Sequence, residues 1–482
     1  MLSITSQRFC QVLVFAISLM LANQTVAQET HSQSTWPQFR GADFNPTGDD
    51  SALPEHWSAT ENVEWSKEIA GRGWSSPIVV DGKIFLTSVV TDGESKKPQS
   101  GTSYSNDYVA ELKAQGLSDE EVERKVMDRD FEMPDQVSLQ YYLVCLDLST
   151  GAEIWKQEYH AGKPPGGRHR KNSFASETPV TDGKLIYVYA THLGLFAYDF
   201  SGNQVWRAEL ENHPIYLEFG TGTSPVLCDD MLIIVDDNEE RSTITAYSTA
   251  NGEVVWQTER SVPDEYATQL PKSGWSTPYI WKNDLRTEII TISPGVAISY
   301  DTQGQELWRL SDMTPAPSSS SFAYDGLLYL NGGKTKPIFA IRPGAEGDIT
   351  PQPGEDSNEF VVWSVPRAGT YIPTPVAYRG ALYIVQDSGI AIRIDAKTGE
   401  QTFKARISGG GAADFTSSPW AYNGKVFCVS EQGNTYVFDA AAEYNLSHTN
   451  PLEDFVMATP AIVGDRLLLR TEQRLYSFRA TQ

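Results

Sequence analysis

The sequence predicts an all-β protein, an eight-bladed β-propeller with four-stranded antiparallel blades, from three observations. A hairpin unit that ends in a large ring returns along the chain, and a Ser/Thr-Pro pair followed by a tight turn lies between its copies. The two signatures alternate at a steady interval, with anchors at positions 179, 225, 278, 321, 375, 419 and 460. Their separation of about 40 to 55 residues is typical of propeller blades.

The hairpin unit is clearest at residues 146–155. Leu146-Asp147-Leu148 alternates apolar and polar side chains, Ser149-Thr150-Gly151 is a turn signal, and a second strand leads to Trp155. A tryptophan buries roughly 150–250 Å². We therefore predict that the terminal rings wedge against neighbouring blades, at Trp65, Trp155, Trp206, Trp256, Trp308, Trp363 and Phe403.

The Ser/Thr-Pro pairs mark the innermost strand of each blade, because proline is tolerated at the first position of a strand and keeps its predecessor extended. Seven copies run from Ser76-Pro77 to Thr459-Pro460. An eighth, at Ser320-Ser321, lacks the proline but keeps the Asp325-Gly326 turn. If 320–363 were an irregular insertion, the count would be seven. We expect the Ser/Thr hydroxyls to open onto the central channel.

The two ends of the chain are predicted to share one blade. The last copy supplies three strands, whereas the segment ending at Trp65 has no hairpin partner of its own. Pairing the Trp65 strand with the C-terminal blade would leave no open edge at the seam.

The chain divides into four predicted regions. Residues 1–27 have the features of a signal peptide, namely Arg8, an apolar stretch over 9–22 and small residues before a cleavage site after Ala27. An uncleaved anchor is the alternative. An N-terminal extension over 28–61 precedes a single propeller domain over 62–482. The insertion at 87–139 contains a helix-like stretch over 107–130 with a Ser118–Glu121 capping box, and serves as a packed cap or as a lid over a site.

The net charge and the cysteine usage limit the classes of ligand and partner that the sequence allows. The net charge of −24 disfavours binding to nucleic acid and anionic lipid. The apolar stretch over 9–22 is too short to span a membrane stably, and we expect no stable span after the signal is cleaved. Cys145, Cys228 and Cys428 are expected as buried thiols. The sequence has no HExxH zinc signature, and we predict no metal site.

The candidate site lies on one face of the propeller. In this strand order the Asp-Gly and Thr-Gly turns share one face, which we call the turn face. The longer connections share the other, the long-loop face, where a rigid scaffold presents variable loops. The basic loop, residues 163–172, stands out in an acidic chain. It would hold an anion or neutralise acidic loops.

The basic loop is expected to lie beside other polar and aromatic groups on this face, including Phe219, Asp236, Arg241, Asp387 and Glu431. Together they would bind a sugar or peptide, or form a network of loops. The candidate ligand-binding residues are Arg168, His169, Arg170, Lys171, Asn172, Glu218, Asp237, Trp275 and Tyr371.

The Asp-x-x-Thr-Gly-x-x-x-Trp pattern, at Asp147 to Trp155 and with Phe403 in place of tryptophan after Asp395, resembles the tryptophan-docking repeat of the pyrroloquinoline-quinone (PQQ)-like propellers. This superfamily includes quinoprotein alcohol dehydrogenases and the assembly lipoprotein BamB. The segments 36–41 and 171–179 resemble exported members of planctomycete type. The resemblance implies the propeller fold but covers both enzymes and scaffolds.

The dehydrogenases of this superfamily stack the quinone between a tryptophan and a disulfide of adjacent cysteines, beside a calcium ion. No adjacent cysteine pair occurs in this sequence. We therefore expect an exported, non-catalytic binding or assembly scaffold without a cofactor, periplasmic or secreted, that engages a protein or a small polar ligand through the long-loop face. The alternative is a periplasmic oxidoreductase dependent on PQQ and calcium.

Overall fold

The computed structural model describes residues 35–91, 107–131, 138–164, 166–169, 171–190, 193–261, 271–407 and 414–480, with the backbone alone at 107–108 and 126–131. The predicted signal peptide lies outside the described residues. Within them the strands form eight sheets, one for each predicted blade. The prediction of eight blades is therefore confirmed, and the seven-bladed alternative is wrong.

Blades 1 to 4 each contain four antiparallel strands joined in chain order. Blade 4 has a fifth, outer strand, Gly347–Asp348, which runs parallel to its fourth. The four-strand sets are Ile78–Val80, Lys83–Thr91, Leu139–Asp147 and Glu153–Gly162; Val180–Thr181, Leu185–Ala190, Gly194–Asp199 and Gln204–Ala208; Val226–Cys228, Met231–Asp237, Ser242–Ser248 and Val254–Glu259; Tyr279–Lys282, Thr287–Ser293, Val296–Tyr300 and Glu306–Ser311.

Blades 5 to 8 repeat the arrangement. An additional short strand, Thr47–Gly48, pairs in parallel with the innermost strand of blade 7. The four-strand sets are Phe322–Tyr324, Leu327–Asn331, Ile338–Ile341 and Val361–Val365; Val376–Tyr378, Ala381–Val385, Ile390–Asp395 and Gln401–Arg406; Trp420–Tyr422, Lys425–Val429, Asn434–Asp439 and Leu446–Pro451; Ala461–Val463, Arg466–Arg470, Arg474–Phe478 and Val63–Glu68.

The ring of blades is closed by the two ends of the domain, as predicted. Val63–Glu68 lies antiparallel to Arg474–Phe478, with Trp65 opposite Ser477. The first strand of each blade is the innermost, and those of successive blades pack together around the central channel. The buried apolar side chains form extended clusters that run across neighbouring blades.

Every blade has a β-bulge in its fourth strand, just before the terminal ring in seven blades and just before His448 in blade 7. In blade 2 the register skips from Gln204 to Trp206, and the same shift occurs in the other seven sheets. A bulge changes which face of the sheet the following side chain occupies. It turns the ring toward the next blade and leaves its predecessor at the surface, so that Val205 is 51% exposed.

The predicted wedges dock in this way at five positions. The indole N–H of Trp65, Trp155, Trp206, Trp256 and Trp363 donates to a backbone carbonyl in the adjacent blade's turn at 2.9–3.1 Å. Each ring also covers the glycine of that turn, where a Cβ would clash with it. Phe403 packs edge-on against Tyr444 instead.

Trp308 differs from the predicted wedge. Its indole N–H donates to Glu288 of its own blade at 2.7 Å, and the side chain is completely buried. The reason is local: the connection that should carry the receiving turn in blade 5 is the long segment 342–360, which has no Thr-Gly turn.

The N-terminal extension fills the centre of the channel, a role that the sequence did not indicate. Trp36 pairs with the innermost strand of blade 1, Arg40 donates to backbone carbonyls of blade 6, and Phe44 packs edge-on against Tyr279 of blade 4 at 5.4 Å. Residues 36–44 therefore bridge the channel from one wall to another. Phe39, between them, faces the cavity described below.

The described part of the insertion of blade 1 contains two helices rather than the single predicted helix. They are α1, Asp107–Ala114, and α2, Asp119–Phe131, separated at Gly116, whose positive φ of 82° ends the first helix. The predicted capping box begins α2, with Ser118 and Glu121 exchanging hydrogen bonds of 2.9–3.3 Å. None of the helices in the described ranges is long and apolar enough to cross a bilayer.

Candidate functional site

A cavity of about 460 Å³ occupies the long-loop end of the central channel. Its wall is built from the residues that start the innermost strands, and its rim from the long loops. Phe39 of the N-terminal segment forms its floor. The aromatic lining residues are Phe39, Trp74, Phe219, Trp275, Tyr371 and Phe415, and the charged or titratable ones, apart from Tyr371, are His169, Lys171, Lys334, Asp387 and Asp414.

The wall contains a ring of seven hydroxyls, which we call the hydroxyl ring. They are the residues that precede proline in the repeat: Ser76, Thr178, Ser224, Thr277, Thr374, Ser418 and Thr459. Six of them accept a backbone N–H from the preceding blade at 2.9–3.1 Å. The ring therefore opens onto the channel, as the sequence predicted, and it also fastens blades to one another.

The basic loop reaches across the top of the wall. Lys171 Nζ lies 2.7 Å from Glu431 Oε1 of blade 7, and both side chains are buried, with 9% and 0% exposed. Thr416 Oγ1 donates to the same oxygen at 2.6 Å. Lys171 and Glu431 were both expected on this face, and the structure brings them together as an ion pair at the cavity edge.

The other residues of the basic loop have different positions. His169 lines the cavity, and its ring meets Phe219 edge-on at 4.8 Å. Arg168 does not line it; its guanidinium donates to Asn172 O and lies over the Phe174 ring. Arg170 lies outside the described residues. Asn172 donates to the carbonyls of Phe219 and Thr221, which fixes the neighbouring loop.

The two predicted acidic ligands are engaged by the protein itself. Glu218 accepts the backbone N–H of Gly167 at 2.8 Å and does not line the cavity. Asp237 is 3% exposed and forms a bidentate pair with Arg260, at 2.6 and 2.7 Å. An ion pair that is this deeply buried positions loops, because neither charge is available to a ligand.

Two predicted aromatic residues, Trp275 and Tyr371, line the cavity from the loops that lead into blades 4 and 6. Trp275 is held by a 2.8 Å hydrogen bond from its indole to Gly220 O. Lys334 Nζ lies 5.6 Å from the centroid of the Tyr371 ring and 3.8 Å from Asp387 Oδ2. Burial, and to a smaller degree the charge of Asp387, raises the pKa of the Tyr371 phenol above its ordinary value.

Sequence reasoning missed Phe39, Trp74, Lys334 and Asp414 as lining residues. Phe39 lies in a conspicuous aromatic motif, but nothing in the motif indicates that the segment enters the channel. Trp74 stands two residues before Ser76, and this spacing from a strand start is a signal that could have placed it on the wall. Lys334 and Asp414 have no comparable signal.

The residues present do not fit the cofactor arrangement of the quinone dehydrogenases. The three described cysteines are buried thiols in blades 1, 3 and 7, so none forms a disulfide beside the cavity. Burial raises the pKa of Cys145 to about 12 and that of Cys228 to about 11, as expected for inert thiols. Across the described ranges, His, Cys, Asp and Glu nowhere gather in threes with the geometry of a metal site.

The fold and the cavity define a class: a closed eight-bladed propeller with a polar site at its long-loop end. A family model described as outer membrane protein assembly factor BamB matches residues 141–311 and 293–482. The chain therefore belongs to this family of PQQ-like repeat β-propellers. A comparison with curated protein sequences finds no match.

Solved structures with this fold include both an assembly factor and enzymes. BamB from Moraxella catarrhalis is 12% identical with a TM-score of 0.51, over 70% of this chain and 91% of its own. Quinohemoprotein alcohol dehydrogenase from Comamonas testosteroni is 12% identical with a TM-score of 0.57, over 94% and 82%. The corresponding enzyme from Pseudomonas putida HK5 is 12% identical with a TM-score of 0.55, over 93% and 81%. At this identity the likeness concerns the fold alone.

Proposed function

We propose that the protein is an exported, non-catalytic binding scaffold that takes up a small polar ligand in its central cavity from the long-loop face. The observation that carries the proposal is the cavity itself, a walled space of about 460 Å³ with aromatic sides, a polar ring and a floor supplied by the N-terminal segment. Ligand sites are concave, pre-formed and lined in this mixed way. The export signal at residues 1–27 is part of the proposal.

A cavity-filling variant tests the proposal. Ser318 lines the cavity and is half-buried, so Ser318→Trp would occupy the space. Purified protein is incubated with a small-molecule filtrate of the bacterial culture, exchanged into buffer, and analysed by native mass spectrometry. We expect a retained mass on the native protein and on the surface control Ser357→Trp, and none on Ser318→Trp. Equal retention by all three proteins would contradict the proposal.

The alternative function is a PQQ-dependent oxidoreductase, favoured by the dehydrogenase-like fold. Its test is direct: the protein is supplied with pyrroloquinoline quinone and calcium, and dye reduction is followed with primary alcohols as substrates. We expect no turnover, because no adjacent-cysteine disulfide lines the cavity among the described residues. Saturable binding with turnover would replace the scaffold proposal with the enzyme.

A further inference from the structure

The hydroxyl ring has hydrogen-bonding capacity that the protein does not use. Its seven side chains are at most 5% exposed, and within the described part of the chain none of them donates its proton to a protein acceptor. Six already accept a backbone N–H. A hydroxyl that accepts one hydrogen bond becomes a better donor in the next, because hydrogen bonds in a chain polarise one another.

The unused hydrogen-bonding capacity is greatest at the junction of blades 8 and 1. Ser76 Oγ, in a residue only 1% exposed, makes no hydrogen bond at all, and neither does the buried indole N–H of Trp74, two residues earlier. Both residues line the cavity. An unpaired buried polar group destabilises the folded protein, so most such groups in proteins have a partner. Because both residues line the cavity, a ligand there would meet two neighbouring donors that have no acceptor in the described part of the chain.

Two buried cations lie close to the same wall. Arg40 and Arg470 are 1% and 2% exposed, and their guanidinium groups donate to backbone carbonyls and the Ser75 hydroxyl; no carboxylate of the described residues pairs with either. Burial lowers the pKa of each to about 9, so both remain protonated at neutral pH. Arg470 binds Ser75, the neighbour of Ser76.

The rim adds charges of both signs. Lys171 is paired with Glu431, and Lys334 with Asp387, whereas Asp414 contributes a further carboxylate. Neither Arg40 nor Arg470 lines the cavity itself: Arg40 binds the backbone of blade 6, whereas Arg470 lies behind the wall at the junction of blades 8 and 1. An anion is favoured where hydrogen-bond donors lie near a buried cation that no carboxylate neutralises, and of the two arginines only Arg470 is next to Ser76.

We propose that the cavity binds a ligand through an oxyanion group, a carboxylate, phosphate or sulfate, which sits on the hydroxyl ring at the junction of blades 8 and 1. Ser76 and Trp74 donate to its oxygens, and the apolar part of the ligand packs against the aromatic wall. This inference rests on the proposed binding function and specifies the chemistry of the ligand.

Ser76→Ala is a clean test, because it removes a hydroxyl that has no partner in the protein. The matched control is Ser417→Ala, whose hydroxyl is equally buried and unpaired but belongs to a residue that does not line the cavity. Isothermal titration calorimetry and thermal unfolding are carried out with sodium phosphate, sulfate and acetate. Sodium chloride at equal ionic strength removes the general salt effect.

We expect at least one oxyanion to bind and to raise the unfolding temperature more than chloride does; the strongest of the three identifies the group. Ser76→Ala should weaken binding about tenfold, as for the loss of a hydrogen bond to a charged group. Its unfolding temperature without oxyanion should stay at or above that of the native protein, and Ser417→Ala should bind normally.

Two results would overturn the oxyanion proposal: unfolding shifts no larger than those in chloride, or unchanged binding by Ser76→Ala. The Ser318→Trp experiment distinguishes this failure from that of the proposed function. If the native protein still retains a small molecule that Ser318→Trp does not, the cavity binds a ligand of another class. If the native protein and Ser318→Trp retain small molecules equally, the proposed binding function itself is wrong.

Discussion

At the scale of single residues, one tryptophan ring docks on the turn of the neighbouring blade at five positions of the propeller. Trp256 covers Gly304 of the adjacent turn, where a Cβ would lie 2.5 Å from the ring, and its indole donates to Thr302 O. Glycine is required there by its φ of 80° as well as by the ring. Removing the ring would leave a void between two blades.

We predict that Trp256→Ala lowers the free energy of unfolding by about 3 kcal/mol, as for other large-to-small changes at packed aromatic positions. Trp256→Phe should cost about 1 kcal/mol, because it keeps most of the packing and loses one hydrogen bond. Urea denaturation measures both. Val255→Ala, at the adjacent 54% exposed position, is the control and should change little. A native-like midpoint for Trp256→Ala would refute the role of the ring.

The turn aspartates predict a pH dependence. Asp147 accepts hydrogen bonds from the hydroxyls and backbone of Ser149 and Thr150, which hold its pKa below the ordinary value. Because the folded-state pKa is the lower one, the stabilisation is present above the unfolded pKa of about 3.9 and is lost as pH falls through the folded value.

Asp147→Ala should therefore destabilise the protein by about 0.5 kcal/mol at pH 6, a small effect because the group is exposed. The difference from the native protein should shrink as the pH falls below about 4. Denaturation curves at several pH values measure it. A difference that stays constant down to pH 2.5, about 1.4 units below the unfolded pKa, would show that the carboxylate charge is not involved.

At the scale of elements, one buried ion pair holds the basic loop in place. Lys171 belongs to the connection between blades 1 and 2, whereas Glu431 belongs to blade 7. Removing one partner of a buried pair leaves the other charge uncompensated. We predict that Lys171→Met costs about 3 kcal/mol and loosens the rim of the cavity.

The double variant Lys171→Met with Glu431→Gln is the matched control, since it leaves no buried charge and should recover most of the loss. Thermal unfolding of the four proteins gives the coupling energy between the two side chains. Additive effects of the two substitutions would mean that Lys171 and Glu431 do not interact in solution.

The elements also explain what the sequence could predict. Ser-Pro starts, Asp-Gly turns and Trp ends are local signals, and each fixes the backbone within a few residues; Asp81 and Gly82 both have the positive φ that a tight hairpin turn needs. These local signals were sufficient to predict the eight blades and the pairing of the Trp65 strand with the C-terminal blade. The contacts of Phe39 and the partner of Lys171 depend on residues hundreds of positions away, for which no local signal exists.

The candidate site was predictable to the same degree. The long-loop face followed from strand order, so His169, Lys171, Trp275 and Tyr371 were expected where the cavity lies. Glu218 and Asp237 were expected there for the same reason, but their oxygens are used by Gly167 and Arg260. Whether a carboxylate is free to bind a ligand depends on its hydrogen-bond partners in the fold, and the local sequence does not show them.

At the scale of the whole molecule, stability depends on closing the ring. The strand Val63–Glu68 completes blade 8, and without it Arg474–Phe478 would be an open edge. We predict that a chain lacking residues 1–68 unfolds at a temperature at least 10 °C lower, because a whole strand and the channel segment are lost.

A synthetic peptide covering residues 60–70 should restore part of this loss in circular dichroism melts, whereas a scrambled peptide should not. Equal melting of the shortened and complete chains would contradict the closure role. The peptide experiment separates the loss of the strand from the loss of the channel segment, which it does not supply.

The hydroxyl ring has a structural consequence. Backbone N–H to hydroxyl hydrogen bonds connect each blade to the next from Ser76 to Thr277, and again from Ser320 to Thr459. Within the described residues, the backbone N–H groups of Thr277 and Thr459 do not donate to the hydroxyl of the following blade. The hydroxyl ring thus links the blades in two arcs of four, and different contacts cross the two gaps: Arg470 donates to Ser75 between blades 8 and 1, and Ser276 Oγ donates to Ser319 O between blades 4 and 5. An oxyanion bound at Ser76 would therefore sit at one of the two places where the ring of hydroxyl bonds is open.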